Sequence, residues 1–133
     1  MIPVAGQARA APTELAPASP AEAAELMSEL AGRKGLVAFA GGSTEPWPVP
    51  PPAGAVLLRT TRMVRIREHA PADQVVVAEA GMTLAALQCH LLPHRQRLAL
   101  DPPSPERATL GGIVAANSFG PRRTRTGAVR DLV

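Results

Sequence analysis

Residues 101–133, DPPSPERATLGGIVAANSFGPRRTRTGAVRDLV, form the stretch around which the chain is organised. A proline-rich approach leads into Thr109-Leu110-Gly111-Gly112. A short run of small side chains follows, then Gly120, Arg122, Arg123, Arg125, Gly127 and Arg130. Glycine and proline inside regular elements cost stability, so the stretch gives up secondary-structure propensity for something else. Thr109 can cap a short helix, and Gly111 and Gly112 would leave first-turn N–H groups uncovered. Ile113 and Val114 anchor the turn to a core, while Ala115 and Ala116 allow close approach. The plain alternative is a glycine-rich helix start packed on a sheet.

Upstream, Leu36–Ala40 is a short apolar run that reads as a buried strand. It delivers the chain into Gly41-Gly42-Ser43-Thr44, a tight turn whose backbone N–H groups can bind oxyanions. An ordinary strand-to-loop turn is the alternative there. Prolines make residues 45–54 loop. Ala55–Leu58 reads as a second buried strand, Arg62–His69 as a half-exposed edge strand, and Val75–Ala80 as the strongest strand. Two helices carry start signals. Ser19-Pro20-Ala21-Glu22 has the form of a capping box, with Ala23, Leu26 and Leu30 on one face and Gly32 or Gly35 as the stop. Thr83 can cap a second helix with Leu84, Leu87 and Leu91 at helical spacing, ended near Pro93. Arg97–Leu100 suggests a further short strand. The Ala/Pro-rich residues 1–18 show no periodicity and read as a flexible terminus.

The elements describe a small α/β layer. A first subdomain is expected over 19–100, and 101–133 begins a second that the chain does not complete. With 133 residues, 46% hydrophobic and 19% charged, the chain is globular rather than disordered. Fifteen prolines and 2% aromatics imply an aliphatic core with interrupted loops. Lys34 is the sole lysine among 14 basic residues, and the arginines near the end suit phosphate or carboxylate contact. One cysteine, Cys89, excludes an internal disulfide framework. Neither a secretory signal nor a span long enough to cross a membrane is read, so a cytoplasmic protein is expected.

Other chemistries fit less well. No GxGxxG opens a helix, and no GxxxxGK[ST] is present. His90 and His94 are four apart, but Leu91 stands where an HExxH site needs glutamate, and no metal site is expected. There is no GxSxG nucleophile elbow. The arginine loop lacks interleaved aromatics, and nucleic-acid binding is not expected.

From about Ser19 to Val133 the chain resembles the start of an FAD-binding domain of the vanillyl-alcohol oxidase / p-cresol methylhydroxylase type. Within that group it is most similar to the FAD-binding E-type subunits of glycolate oxidase. AGGSTE stands at the family's glycine-rich first loop. LRTTRMVRIREHAPADQVVVAEAGMTLAALQ and the closing stretch carry the rest. The resemblance implies an α+β (α/β) fold, the N-terminal part of a two-subdomain domain with the second truncated. It implies that Gly41, Gly42, Ser43 and Thr44 wrap the FAD diphosphate, and that Pro102, Pro103 and Ser104 run beside the flavin ring. Thr109, Leu110, Gly111, Gly112 and Ala115 would approach diphosphate and ribityl, with Gly120, Arg123, Gly127 and Asp131 completing the flavin side. Ser43 replaces the third glycine of the loop, and Glu45 stands where lysine is common. No histidine lies in GGST, so non-covalent FAD is expected.

The parent activity implied is a flavin-dependent 2-hydroxy-acid dehydrogenase with partner subunits of a glycolate oxidase-like complex, cytoplasmic or, through those subunits, peripheral to the inner membrane. No catalytic side chain is assigned within these residues, and the segment alone is expected to be inactive. The competing expectation is a small non-enzymatic module binding an anion or nucleic acid through the arginine loop.

Overall fold

The computed structural model describes residues 12–44 and 51–133. Expectations for residues 1–11 and 45–50 lie outside the described residues.

Strand β3 (Val56–Arg59) is the middle of a three-stranded parallel sheet, between β1 (Thr13–Leu15) and β2 (Val37–Ala40). Val56 sits opposite Thr13 on one side and Val37 on the other. Ala55, Leu57 and Leu58 are buried, as a central strand of consecutive apolar residues requires. Two expectations are corrected here. Residues 13–15 are paired strand, not irregular lead. Strand β2 is an edge rather than a buried strand, with the Phe39 side chain 55% exposed.

Helix α1 (Pro20–Gly32) links β1 to β2. Ser19 Oγ accepts the Glu22 N–H at 3.1 Å, and Pro20 occupies the first turn. The Glu22 carboxylate reaches past the cap to the Ala18 N–H, 2.7 Å away. The capping exchange thus closes one residue earlier than a standard box. Ser19→Ala is expected to cost about 1 kcal/mol, read as a lower urea midpoint with an unchanged slope.

Strands β4 (Ile66–Ala70) and β5 (Val75–Ala78) form a separate antiparallel hairpin. The sheet is therefore split in two, where one small layer was expected. Glu79, just past β5, shows how the hairpin is set. Its buried carboxylate accepts the Arg65 N–H at 2.9 Å and pairs with Arg67 Nη1 at 3.3 Å. The ladder shifts register between Ile66 and Glu68, directly beside this contact.

Helix α2 (Leu84–Leu91) forms as its pattern dictates: Thr83 Oγ1 accepts the Ala86 N–H, and Leu84, Leu87 and Leu91 are buried. A 3-10 turn over Leu92–His94 ends it, with Arg95 left-handed at φ 55°. Residues 97–100 are not a strand. The Gln88 side chain takes the place of a neighbouring strand, donating to the Leu98 carbonyl at 2.7 Å and accepting its N–H at 3.2 Å. With both groups satisfied, the segment needs no ladder.

The closing stretch holds α3 (Leu110–Ala116), α4 (Arg123–Thr126) and a 3-10 turn at Val129–Asp131. Ala108, Ile113 and Val129 share one buried cluster with Leu84 and Leu100. The core therefore crosses the boundary expected after Leu100, and the last stretch is seated on α2.

Candidate functional site

Strand β2 ends at Ala40, and its turn faces α3 across an open cleft of about 270 Å³. Gly41, Gly42, Ser43 and Thr44 form one wall. Pro102, Thr109, Gly112 and Ala115 belong to the other. Ala116, expected with Ala115 to allow close approach, also lines the cleft, as do Phe39 and Ser118, which were not expected there. The two segments, some 60 residues apart in the sequence, are thus one structural feature.

The glycines of the first wall serve contact between the walls. A Cβ on Gly42 would lie 1.8 Å from the Arg107 carbonyl oxygen, and one on Gly41 would lie 2.0 Å from Thr109 Oγ1. Among the described residues, no group accepts a hydrogen bond from the amides of Gly42, Ser43 or Thr44. Those three residues border the cleft. Ser43 is held left-handed at φ 51°, a conformation natural to glycine.

Helix α3 behaves differently from expectation. Thr109 caps it, accepting the Gly112 N–H at 3.2 Å. The Leu110 and Gly111 amides donate to the Met82 and Ala80 carbonyls, each at 2.8 Å. The first-turn donors are therefore spent within the protein, which corrects the idea that Gly111 and Gly112 leave them free. Gly111 is small because Ala80 is close: a Cβ there would meet the Ala80 Cβ at 2.9 Å. What α3 offers the cleft is a low wall of small side chains.

The remaining expected residues lie outside this cleft. Pro103 is exposed, and Ser104 makes a turn at φ 50° whose carbonyl accepts the Arg107 and Ala108 amides. Leu110 packs into the core. Gly120, at φ 75°, lies against the Asp101 backbone. Arg123 stacks its guanidinium over the Phe119 ring at 4.8 Å. Gly127, at φ 85°, packs on Asp131, whose carboxylate accepts the Ala128 N–H at 2.7 Å. Arg122 pairs with Asp101 at 3.4 Å, and Arg130 lies 3.8 Å from Asp131. Much of the basic loop is thus engaged within the protein.

Behind the first wall, Arg59 holds Glu14 through two contacts, Nε to Oε2 at 2.7 Å and Nη2 to Oε1 at 3.0 Å. The hydrogen bond from Arg59, aided by its charge, keeps the Glu14 carboxyl below the usual carboxylate range, against a smaller opposing effect of desolvation. The Arg59 pKa moves up in turn. A depressed carboxylate contributes stability above its unfolded pKa and loses it as pH falls through the folded one. Glu14→Gln should therefore flatten, only slightly because the pair is exposed, the fall in thermal midpoint as pH drops below about 5.

Elsewhere, His69, His90 and His94 gather beside the hairpin. His90 Nε2 lies 3.1 Å from His69 Nδ1, and Gln96 Oε1 lies 3.0 Å from His69 Nε2. Among the described residues no group of three or more His, Cys, Asp or Glu is placed to hold a metal ion. No described helix is long and apolar enough to cross a membrane.

Free backbone donors, a serine and a threonine on one side, with a low alanine–glycine wall opposite, suit the phosphates of a nucleotide cofactor lying along the cleft. The FAD binding domain family matches residues 12–133, and the chain belongs to that family. It is 39% identical over 69 residues to glycolate oxidase subunit GlcE of Escherichia coli (strain K12), covering 51% of this chain and 20% of that subunit. Alkyldihydroxyacetonephosphate synthase, solved in two crystal forms, superposes with TM-score 0.78 at 23% identity, over 89% of this chain and 23% of that one. This second likeness is one of fold: the mixed α and β arrangement is that of a p-cresol methylhydroxylase-type FAD-binding domain. The chain spans about a fifth of the length of the relatives it matches.

Proposed function

We propose that the chain binds FAD non-covalently, with the diphosphate in the cleft between the Gly41–Thr44 turn and α3. The observation that carries this reading is the set of unspent amides at Gly42, Ser43 and Thr44 beside a wall of small residues. Successive backbone amides in a turn of this kind suit an oxyanion. Ala115 and Gly112 let the ligand lie close to α3, and buried Pro102 closes one side of the cleft. At about 270 Å³ the cleft is at the small end for a cofactor site, in keeping with one half of a pocket shared between two subdomains.

The parent protein is proposed to be a flavin-dependent oxidoreductase acting on a 2-hydroxy acid, as the likeness to a glycolate oxidase subunit suggests. Bound flavin would supply the hydride-accepting chemistry, and these residues would supply binding and orientation. No side chain here is given a catalytic role, and the segment by itself is proposed to be inactive. Partner subunits would complete the enzyme, in the cytoplasm or at the inner membrane surface.

Titrating the purified chain into FAD tests the reading. Saturable quenching of flavin fluorescence is expected, with all the flavin released on acid precipitation. A folded chain that leaves the fluorescence unchanged would overturn it. Flavin retained by the precipitate would overturn the non-covalent part.

A further inference from the structure

One contact behind the cleft is not explained by the fold. The Arg59 guanidinium is a planar fork with five N–H donors, and Glu14 occupies its Nε and Nη2 edge. The remaining nitrogen, Nη1, donates to Ser43 Oγ at 3.3 Å. A hydroxyl that accepts from a guanidinium keeps its own hydrogen for another acceptor. Ser43 lines the cleft, in a left-handed conformation that glycine would adopt without cost. The serine thus occupies a left-handed position, bonded to a cation, where among the described residues its own amide and those of Gly42 and Thr44 have no acceptor.

Resting on the FAD reading above, we propose that Glu14 and Arg59 are positioning residues for the diphosphate. Glu14 fixes the guanidinium, Arg59 orients and polarises the Ser43 hydroxyl, and that hydroxyl donates to a phosphate oxygen. The arrangement gives β1 a task beyond sheet pairing, since Glu14 belongs to β1 and Arg59 ends β3. It is a matter of geometry more than of net charge, because the carboxylate neutralises the guanidinium it holds. Exposed ion pairs of this kind add little to stability, so their effect should appear mainly in binding.

The test compares FAD and riboflavin titrations of wild type, Ser43→Gly, Arg59→Gln, Glu14→Gln and the Ser43→Gly/Arg59→Gln double variant. Ser43→Gly should weaken FAD about tenfold, the scale of one hydrogen bond to a charged group. Its thermal midpoint should hold or rise, because glycine relieves the left-handed backbone. Non-additive losses with Arg59→Gln and a riboflavin affinity left unchanged separate a lost hydroxyl–phosphate bond from mere loosening of the loop. Arg59→Gln and Glu14→Gln should each lose several-fold for FAD, and the double variant should lose no more than Ser43→Gly alone. Riboflavin, which has no phosphate, should bind all variants alike. Equal FAD affinity in wild type and Ser43→Gly, or multiplying losses in the double variant, would overturn the proposal while leaving the FAD reading intact. Failure of folded wild type to bind FAD would instead defeat that reading and this inference with it.

Discussion

Gly42→Ala is expected to destabilise the protein by about 3 kcal/mol or more and to abolish FAD binding. The new methyl would sit 1.8 Å from the Arg107 carbonyl oxygen and 2.9 Å from its carbon. Both are backbone atoms, so no rotamer change relieves the clash. Nor can the opposing segment drift away freely. The Arg107 and Ala108 amides both donate to the Ser104 carbonyl at 2.8 Å, and the Ala108 carbonyl accepts the Leu84 amide at 2.9 Å. Relief requires the two walls to part, which deforms the cleft. In a domain with a total stability of about 5–15 kcal/mol, the loss is large. It should appear as a fall of roughly 10 °C in thermal midpoint. Gly32→Ala is the control: nothing lies within 4 Å of its added methyl, and a change within about 0.5 kcal/mol is expected.

The second large effect should come from Leu84→Ala, at about 3 kcal/mol. Leu84 is 2% exposed and joins Leu100, Ala108, Ile113 and Val129 in one cluster. Its removal leaves a cavity beneath the segment that carries α3, where surrounding helices and turns can only partly collapse. Stability and FAD affinity should fall together, because Ala108 and Ile113 also line the cleft. Denaturant unfolding would give the first quantity and fluorescence titration the second. Loss of stability with unchanged affinity in the folded fraction would show that α3 does not depend on α2 for its position.

Helices were readable wherever a local cap announced them. Ser19, Thr83 and Thr109 each make the side-chain-to-backbone bond that their position indicated. Strands were readable as apolar runs, but their surroundings were not. Nothing local tells that Phe39 lies on an edge, or that Thr13–Leu15 pairs with Val56–Leu58 far along the chain. Residues 97–100 had strand character, yet a glutamine side chain took the place of a partner. The hairpin's register shift between Ile66 and Glu68 lies beside one buried carboxylate, Glu79, whose contacts with Arg65 and Arg67 no local pattern announces.

The candidate site was legible as two motifs, and the structure brings them to one cleft. Its donors were only half legible. Both Gly-Gly pairs suggested exposed amides, but a sequence does not reveal what a backbone group already bonds. At α3 the carbonyls of Ala80 and Met82 consume them; at Gly42–Thr44 no described residue accepts them. Gly81 belongs to a stretch that carries the family resemblance, but its steric need is not local: a Cβ there would lie 1.8 Å from the Thr60 carbonyl oxygen. The Glu14–Arg59–Ser43 contact joins three distant positions and has no local signature at all.

Residue-resolved amide chemical shifts, followed through a titration of the chain with FAD, address the central claim most directly. The amides of Gly42, Ser43 and Thr44 should show the largest changes and saturate together, with those of Gly112 and Ala115 following. The Gly111 and Leu110 amides, bonded to carbonyls inside the fold, should move little. Largest shifts in residues 122–130 with Gly42–Thr44 unchanged would contradict the account.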